Sequence, residues 1–189
     1  MKLLPFSLSK NQYPLVPPDA FSNFYEQAHL SVFRYAMVLC GGNQAEAEDI
    51  TADAFFRAWE KRQQFSGSQE AALGWVITIA RNLLIDHRRS ENTHPADAFL
   101  DDSLPDAGDH IETILVDDEQ FQKVFDSIRR LPFPHGDILT LRYVLGWQVK
   151  TIAAHLGLAE NTVSVNLRRA LARIQLELVS QEFNDGRTK

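Results

Sequence analysis

Apolar residues in the first half of the chain recur at steps of three and four. Phe21, Phe24, Tyr25, Ala28, Val32, Tyr35, Ala36 and Leu39 line one face of a helix that Asp19 can cap and Gly41-Gly42 stops. Asn43 with Glu46 three residues on resembles a capping box and opens a second helix to about Gln63. Ile50, Ala54 and Ala58 form its inner side, with Phe55 and Trp59 beside them. The segment Phe65-Ser66-Gly67-Ser68 reads as a loop. A third helix then runs to about Arg89 on the stripe Ala72, Val76, Ile79 and Leu83. Nothing in residues 19–90 alternates with period two. Further along, Phe121, Val124, Phe125 and Ile128 set a helix from about Asp117 to Arg130, which Leu131-Pro132 ends. Shorter helices are expected at about 135–145, 148–156 and 161–179. The fold class is all-α.

Composition divides these helices into two small domains. Four prolines make residues 1–18 an irregular N-terminal tail, and residues 19–90 form a three-helix domain. Residues 91–116 read as a flexible, self-repelling acidic linker, 117–179 as a second helical domain and 180–189 as a C-terminal tail. The net charge of −6 conceals this division, because residues 91–120 hold 10 acidic residues and no lysine or arginine. Residues 121–189 hold 10 basic and 6 acidic residues. An acidic total is therefore compatible with nucleic-acid binding by the second domain.

Several classes drop out. With 44% hydrophobic residues the chain is not disordered as a whole, and no apolar run is long enough for membrane insertion. Met1-Lys2-Leu3-Leu4-Pro5-Phe6 is a poor secretory signal, and one cysteine, Cys40, excludes an internal disulfide, so the cytoplasm is the expected compartment. Six histidines without paired spacing offer no metal site. No cofactor motif is present.

Residues 148–174 carry the most informative pattern. Ile152, Ala153 and Leu156 are apolar, Gly157 can supply a left-handed turn, and Val163, Leu167, Ala170, Leu171 and Ile174 form a second buried stripe. Asn161, Thr162, Val165, Arg168, Arg169 and Arg173 fall on the other side. A polar, basic face of this kind suits a helix entering the major groove. An ordinary helical hairpin with a solvated arginine face has the same pattern.

The motifs Leu131-Pro132, Leu141-Arg142-Tyr143, Ile152-Ala153, Leu156-Gly157, Thr162-Val163 and Arg169-Ala170 resemble region 4 of the bacterial extracytoplasmic-function sigma factors, within the sigma-70 family. In the first domain, Ala47-Glu48-Asp49-Ile50, Phe55, Arg57-Ala58-Trp59, Trp75, Ile79-Ala80-Arg81-Asn82-Leu83, Ile85-Asp86 and Arg88-Arg89 resemble region 2. Two motif sets in order, separated by a linker, are far more specific than either alone.

The resemblance implies a transcription factor that is not an enzyme and has no catalytic residues. It would bind core RNA polymerase and promoter DNA, answer to an anti-sigma factor and be a monomer when free. Polymerase binding would fall to Glu48, Asp49, Asp53 and Phe56. The minus-ten element would be opened by Phe65, Ser66, Trp75, Arg81, Asn82, Arg88 and Arg89, where aromatic and cationic groups suit single-stranded DNA. The minus-thirty-five duplex would be read by Asn161, Thr162, Ser164, Val165, Asn166, Arg168, Arg169 and Arg173. The residue chemistry leaves alternatives beside several of these. An acidic helix start satisfies its own dipole, Trp75 can pack between helices, and Arg88-Arg89 can cap a helix C-terminus.

The chain departs from the family pattern at Ala52-Asp53, usually Gln-Glu, and at Ser164-Val165-Asn166, often basic-Ser-Arg. Ala159 stands where a capping serine is usual, and Thr151 where an acidic residue is common. Duplex contact is accordingly expected to read a different sequence or to read it more weakly. Two competing functions remain: a sigma mimic that sequesters an anti-sigma factor, and a hydrolase on a helical scaffold. The second lacks any nucleophile elbow or metal cluster.

Overall fold

The computed structural model describes residues 15–91 and 118–185; residues 1–14, 92–117, which hold nearly all of the expected acidic linker, and 186–189 lie outside them. Every regular element among the described residues is helical. The first domain is α1 (Pro18–Leu39), α2 (Gln44–Lys61), a 3-10 turn (Arg62–Gln64) and α3 (Gln69–Glu91). The second is α4 (Asp118–Arg130), α5 (Phe133–Leu139), a π turn (Thr140–Val144), α6 (Val149–Leu156) and α7 (Glu160–Asp185).

Local signals set most boundaries. Gly41 and Gly42 both take positive φ, 66° and 83°, and the Gly42 N–H closes α1 by donating to the Met37 carbonyl at 2.9 Å. The Asn43 side chain caps α2 by accepting from the Glu46 N–H at 3.3 Å. Asp19, in contrast, does not cap α1. Pro17 occupies the cap without a side-chain bond and Asp19 falls in the first turn, because the diproline starts the helix two positions earlier. The helix expected at 135–145 starts at Phe133 after Pro132 and widens into the π turn, where the Leu145 N–H reaches back five residues to the Thr140 carbonyl at 3.1 Å. Helix α7 continues to Asp185, six residues beyond its expected end.

Aromatic rings fill the first core. Phe21 meets Phe24, Phe55 and Trp59 at centroid distances of 6.1, 6.5 and 5.1 Å. Burying a side chain such as Phe24 contributes roughly 1.5–3 kcal/mol. Leu15, assigned to the tail, is fully buried in this core, and Arg62 holds its neighbour by donating to the Val16 carbonyl at 3.3 Å. Tyr25 was expected in the core stripe but is exposed, stacking on His29 at 5.1 Å.

The α3 helix buries a wider face than its stripe implied: Ile77, Ala80 and Leu84 join Ala72, Val76 and Leu83, while Ile79 is half-buried. The reason is the second domain. Ile77 and Leu84 lie between the first core and the positions Gly74, Arg81 and Arg88, which meet the second domain. Helix α1 packs on α4 and on the π turn, and α5 comes so close that a β-carbon on Gly136 would sit 3.4 Å from Leu39 Cδ2. Two arginines, one from each domain, satisfy the last carbonyls of α1: Arg88 donates to Leu39 at 2.8 Å and Arg129 to Cys40 at 3.3 Å.

At the centre of the junction, Asp137 is fully buried. Its two carboxylate oxygens accept from the Tyr35 hydroxyl at 2.7 Å and the Arg81 Nε at 2.6 Å. A buried carboxylate is tolerated only with such partners, and removing one side of a buried pair costs about 3–5 kcal/mol if the other stays buried. Burial, reinforced by the Asp137 charge, holds the Tyr35 phenol well above its ordinary pKa.

Candidate nucleic-acid interface

Three surfaces carry the residues expected to function. On α2, Glu48, Asp49, Asp53 and Phe56 are all exposed, with Ile50, Ala54 and Phe55 turned inward. Phe56 is 61% exposed, which no packing role within the domain explains. Asp49 and Asp53 border a groove of about 510 Å³ between α2 and α3, whose floor is Ile50 and Leu83 and whose other walls include Glu46 and Asp86. Neither Glu46 nor Asp86 was assigned to this surface from the sequence. His87 stands in the same groove, its Nδ1 3.1 Å from the Glu46 carboxylate but out of line for a hydrogen bond. Behind the groove, burial and the Glu46 charge push the Cys40 thiol up, which leaves it unreactive.

The second surface is α3 with the loop before it. Phe65 stacks on Trp75 at 5.1 Å with 27° between the rings, and both are half-buried. Ser66, Asn82 and Arg89 are exposed, and the Thr78 hydroxyl donates to the Gly74 carbonyl at 3.0 Å. Arg81 and Arg88 were placed pointing outward beyond this stripe. They lie on its far side instead, under the second domain. Arg81 is paired with Asp137, and Arg88 lies 5.1 Å from the Phe133 ring centre as it bonds Leu39. Burial, then the nearby Arg129 charge, lowers the Arg88 pKa from its ordinary value. The structure therefore brings Trp75, Asn82 and Arg89 together and separates Arg81 and Arg88 from them.

The third surface is the helix-turn-helix. Gly157 takes φ 67° and ψ 32°, closing α6 and turning the chain into α7. Val163, Leu167 and Ala170 are buried, as the spacing predicts. Asn161, Thr162, Arg168 and Arg173 are exposed, while Ser164, Val165, Asn166 and Arg169 are half-buried. Ser164 spends its hydroxyl on the Glu160 carbonyl at 3.0 Å. Asn166 lies beside His135 of α5, a neighbour that the spacing on α7 does not reveal. Burial and the Arg173 and Arg169 charges lower the His135 pKa, against the opposing influence of Asn166. Arg130 to Glu177, at 2.6 Å, ties α4 to α7 behind this face.

Asp137, Tyr35 and His155 were also missed. One signal for Asp137 was present: it is the only charge within the apolar run Phe133–Leu141. His155 sits near the junction, edge-on to Trp147 at 5.0 Å, and a β-carbon on Gly74 would approach its ring at 3.6 Å. Among the described residues no group of acidic, histidine or cysteine side chains could hold a metal, and no helix is long and apolar enough to cross a membrane.

Comparison with known proteins matches residues 24–93 to Sigma-70 region 2 and residues 121–174 to Sigma-70 region 4. The chain is 30% identical over 155 residues to the ECF RNA polymerase sigma factor SigL of Mycobacterium tuberculosis, covering 82% of this chain and 86% of that protein. It is 28% identical over 137 residues to the ECF RNA polymerase sigma factor RpoE of Cereibacter sphaeroides, covering 71% and 74%. Two solved structures share the fold. The sigma factor RpoE, in complex with the anti-sigma factor NepR from Bartonella quintana, has a TM-score of 0.60 at 22% identity over 84% of this chain and 96% of that one. CnrH, in complex with the cytosolic domain of CnrY, has a TM-score of 0.61 at 18% identity over 87% and 90%.

Proposed function

Because the chain belongs to the extracytoplasmic-function RNA polymerase sigma factors, which act in transcription initiation, we propose that its two domains divide promoter recognition between them. The first domain binds core polymerase through the α2 ridge of Glu48, Asp49, Asp53 and Phe56. It then opens the minus-ten element with Phe65, Ser66, Trp75, Asn82 and Arg89, joined by Arg81 and Arg88. The second presents the exposed face of α7 to the minus-thirty-five duplex. Arg168, Arg169 and Arg173 hold phosphates, and Asn161, Thr162, Ser164, Val165 and Asn166 lie nearest the bases.

One observation supports this reading above the others. An acidic ridge carrying an exposed phenylalanine and a cationic recognition helix both lie open to solvent, on different domains. A protein that joins a basic surface of polymerase to an acidic duplex needs this separation of sign. The family is not a class of enzymes, and we assign this chain no catalytic step and no cofactor. We place it in the cytoplasm as a monomer when free, under the control of an anti-sigma factor as RpoE is seen bound to NepR. Gel filtration of the chain with core polymerase tests the proposal. Co-elution that is lost with charge-reversed Asp49 and Asp53 is expected; separate elution at micromolar concentration refutes it.

A further inference from the structure

We propose that the free protein is latched shut by Asp137, whose carboxylate on α5 is gripped by Tyr35 and Arg81 of the other domain, and that the latch withholds Arg81 and Arg88 from DNA. The proposal rests on the reading of α3 as the strand-opening helix given above.

The geometry supports a latch rather than an incidental contact. Asp137 has no exposure, yet both groups that bond it come from the first domain, one from α1 and one from α3. Within its own domain it sits in an apolar run with nothing in that run to compensate its charge. A carboxylate buried there is costly unless each of its oxygens is bonded, as both are by Tyr35 and Arg81 when the two domains are together. With the domains apart, it regains water. The bonds therefore reward one arrangement of the two domains over all others, which apolar burial alone would not do so selectively.

What the latch covers is equally specific. Arg81 is drawn onto Asp137 and lies 5.5 Å from the Phe133 ring centre, and Arg88 lies 5.1 Å from the same centre. Two of the three arginines on α3 are thus occupied by the chain itself, and Arg89 alone stays exposed. A phosphate backbone approaching α3 meets Asn82 and Arg89 but not the rest of the cationic surface. Opening must precede, or accompany, full engagement of single-stranded DNA.

The test uses the full chain with dyes on two introduced cysteines, Glu60→Cys on α2 and Lys150→Cys on α6, both exposed positions. Cys40, buried at the junction in the closed chain, is replaced by serine throughout so that only the two introduced cysteines carry dye. Energy transfer reports domain separation, and anisotropy of a fluorescent mixed-sequence DNA single strand reports binding. Asp137→Asn should raise the open-to-closed ratio about tenfold or more, since it removes the carboxylate charge and leaves one acceptor oxygen where Tyr35 and Arg81 each need one. Tyr35→Phe, which deletes a single hydroxyl, should raise it less, and it keeps the test decisive if Asp137→Asn lowers the melting temperature of the second domain. Both should tighten single-strand binding by the same factor as they open the chain. Energy transfer unchanged in both variants overturns the latch. Opening without tighter binding overturns the withholding of the arginines. If opening tightens binding but adding Arg88→Gln removes none of the gain, the reading of α3 fails while the latch stands.

Discussion

Reversing the charge of Asp49 and Asp53 separates an interface from a helix start that merely suits its own dipole. Both carboxylates are exposed, and both lie beyond the first turn of α2, where Glu46 already occupies the favourable position. The dipole effect fades within that turn, so Asp49→Lys and Asp53→Lys should change stability by no more than about 0.5 kcal/mol. The sign should even favour the variants, because the groove beside them is walled by Glu46 and Asp86 and each new lysine relieves like-charge repulsion. Binding answers differently. A charge pair across a protein interface couples by about 1.5 kcal/mol at the low end of measured values, close to a factor of ten in affinity. Each reversal should therefore weaken core polymerase binding about tenfold or more, and the double variant about a hundredfold. Titration of labelled core polymerase at two salt concentrations measures this, with circular dichroism melting as the control. Higher salt should narrow the gap between wild type and variant. Unchanged affinity alongside unchanged melting would remove α2 from the interface; a parallel collapse of melting would show that these carboxylates are structural.

Other outcomes follow from the same geometry. Gly157→Ala places a side chain at φ 67° in open space, so its cost is backbone strain alone, about 1–2 kcal/mol, seen as a drop of several degrees in the melting of the second domain. His155 is held below its ordinary value of 6.5 chiefly by burial, with Asp137 opposing and Arg81 assisting, and His135 is lowered as well. The unfolded chain then takes up protons that the folded chain refuses, so the stability these groups leave intact above pH about 6.5 should fall as pH drops below it. The double variant His135→Gln, His155→Gln should flatten melting temperature against pH in that range. On the recognition helix, Arg168→Ala should reduce the salt slope of duplex binding by about one unit with sequence preference unchanged. Asn166→Ala should shift preference at one base pair by about 1–3 kcal/mol with the slope intact.

The helices were legible in the sequence because their signals are local. Gly41-Gly42, Asn43 with Glu46, Pro132 and Gly157 each act within a few residues of themselves, and each is found doing so. The acidic ridge on α2 was legible for the same reason, since exposure at steps of three and four is a property of one helix. What escaped was everything that depends on one domain touching the other. The spacing on α3 could place Arg81 and Arg88 on a common side, but only the position of α5 decides whether that side faces water or Asp137. Leu15 was lost for a related reason: four prolines say that a segment is irregular, not that one of its apolar side chains finds a core. Ser164 was assigned to the duplex from its place on α7, yet short polar side chains also bond nearby backbone, here the Glu160 carbonyl.

The central claim, that two oppositely charged faces on two linked helical domains bring polymerase to a promoter, is tested most directly by mapping transcripts. Core polymerase, with and without the full chain, would be given fragments of the source genome and the 5′ ends of the products sequenced. The account predicts start sites that appear only with the protein, that share one pair of upstream elements, and that vanish with Asp49→Lys/Asp53→Lys. Tight binding of the protein to core polymerase with no start sites beyond those of core alone would contradict it.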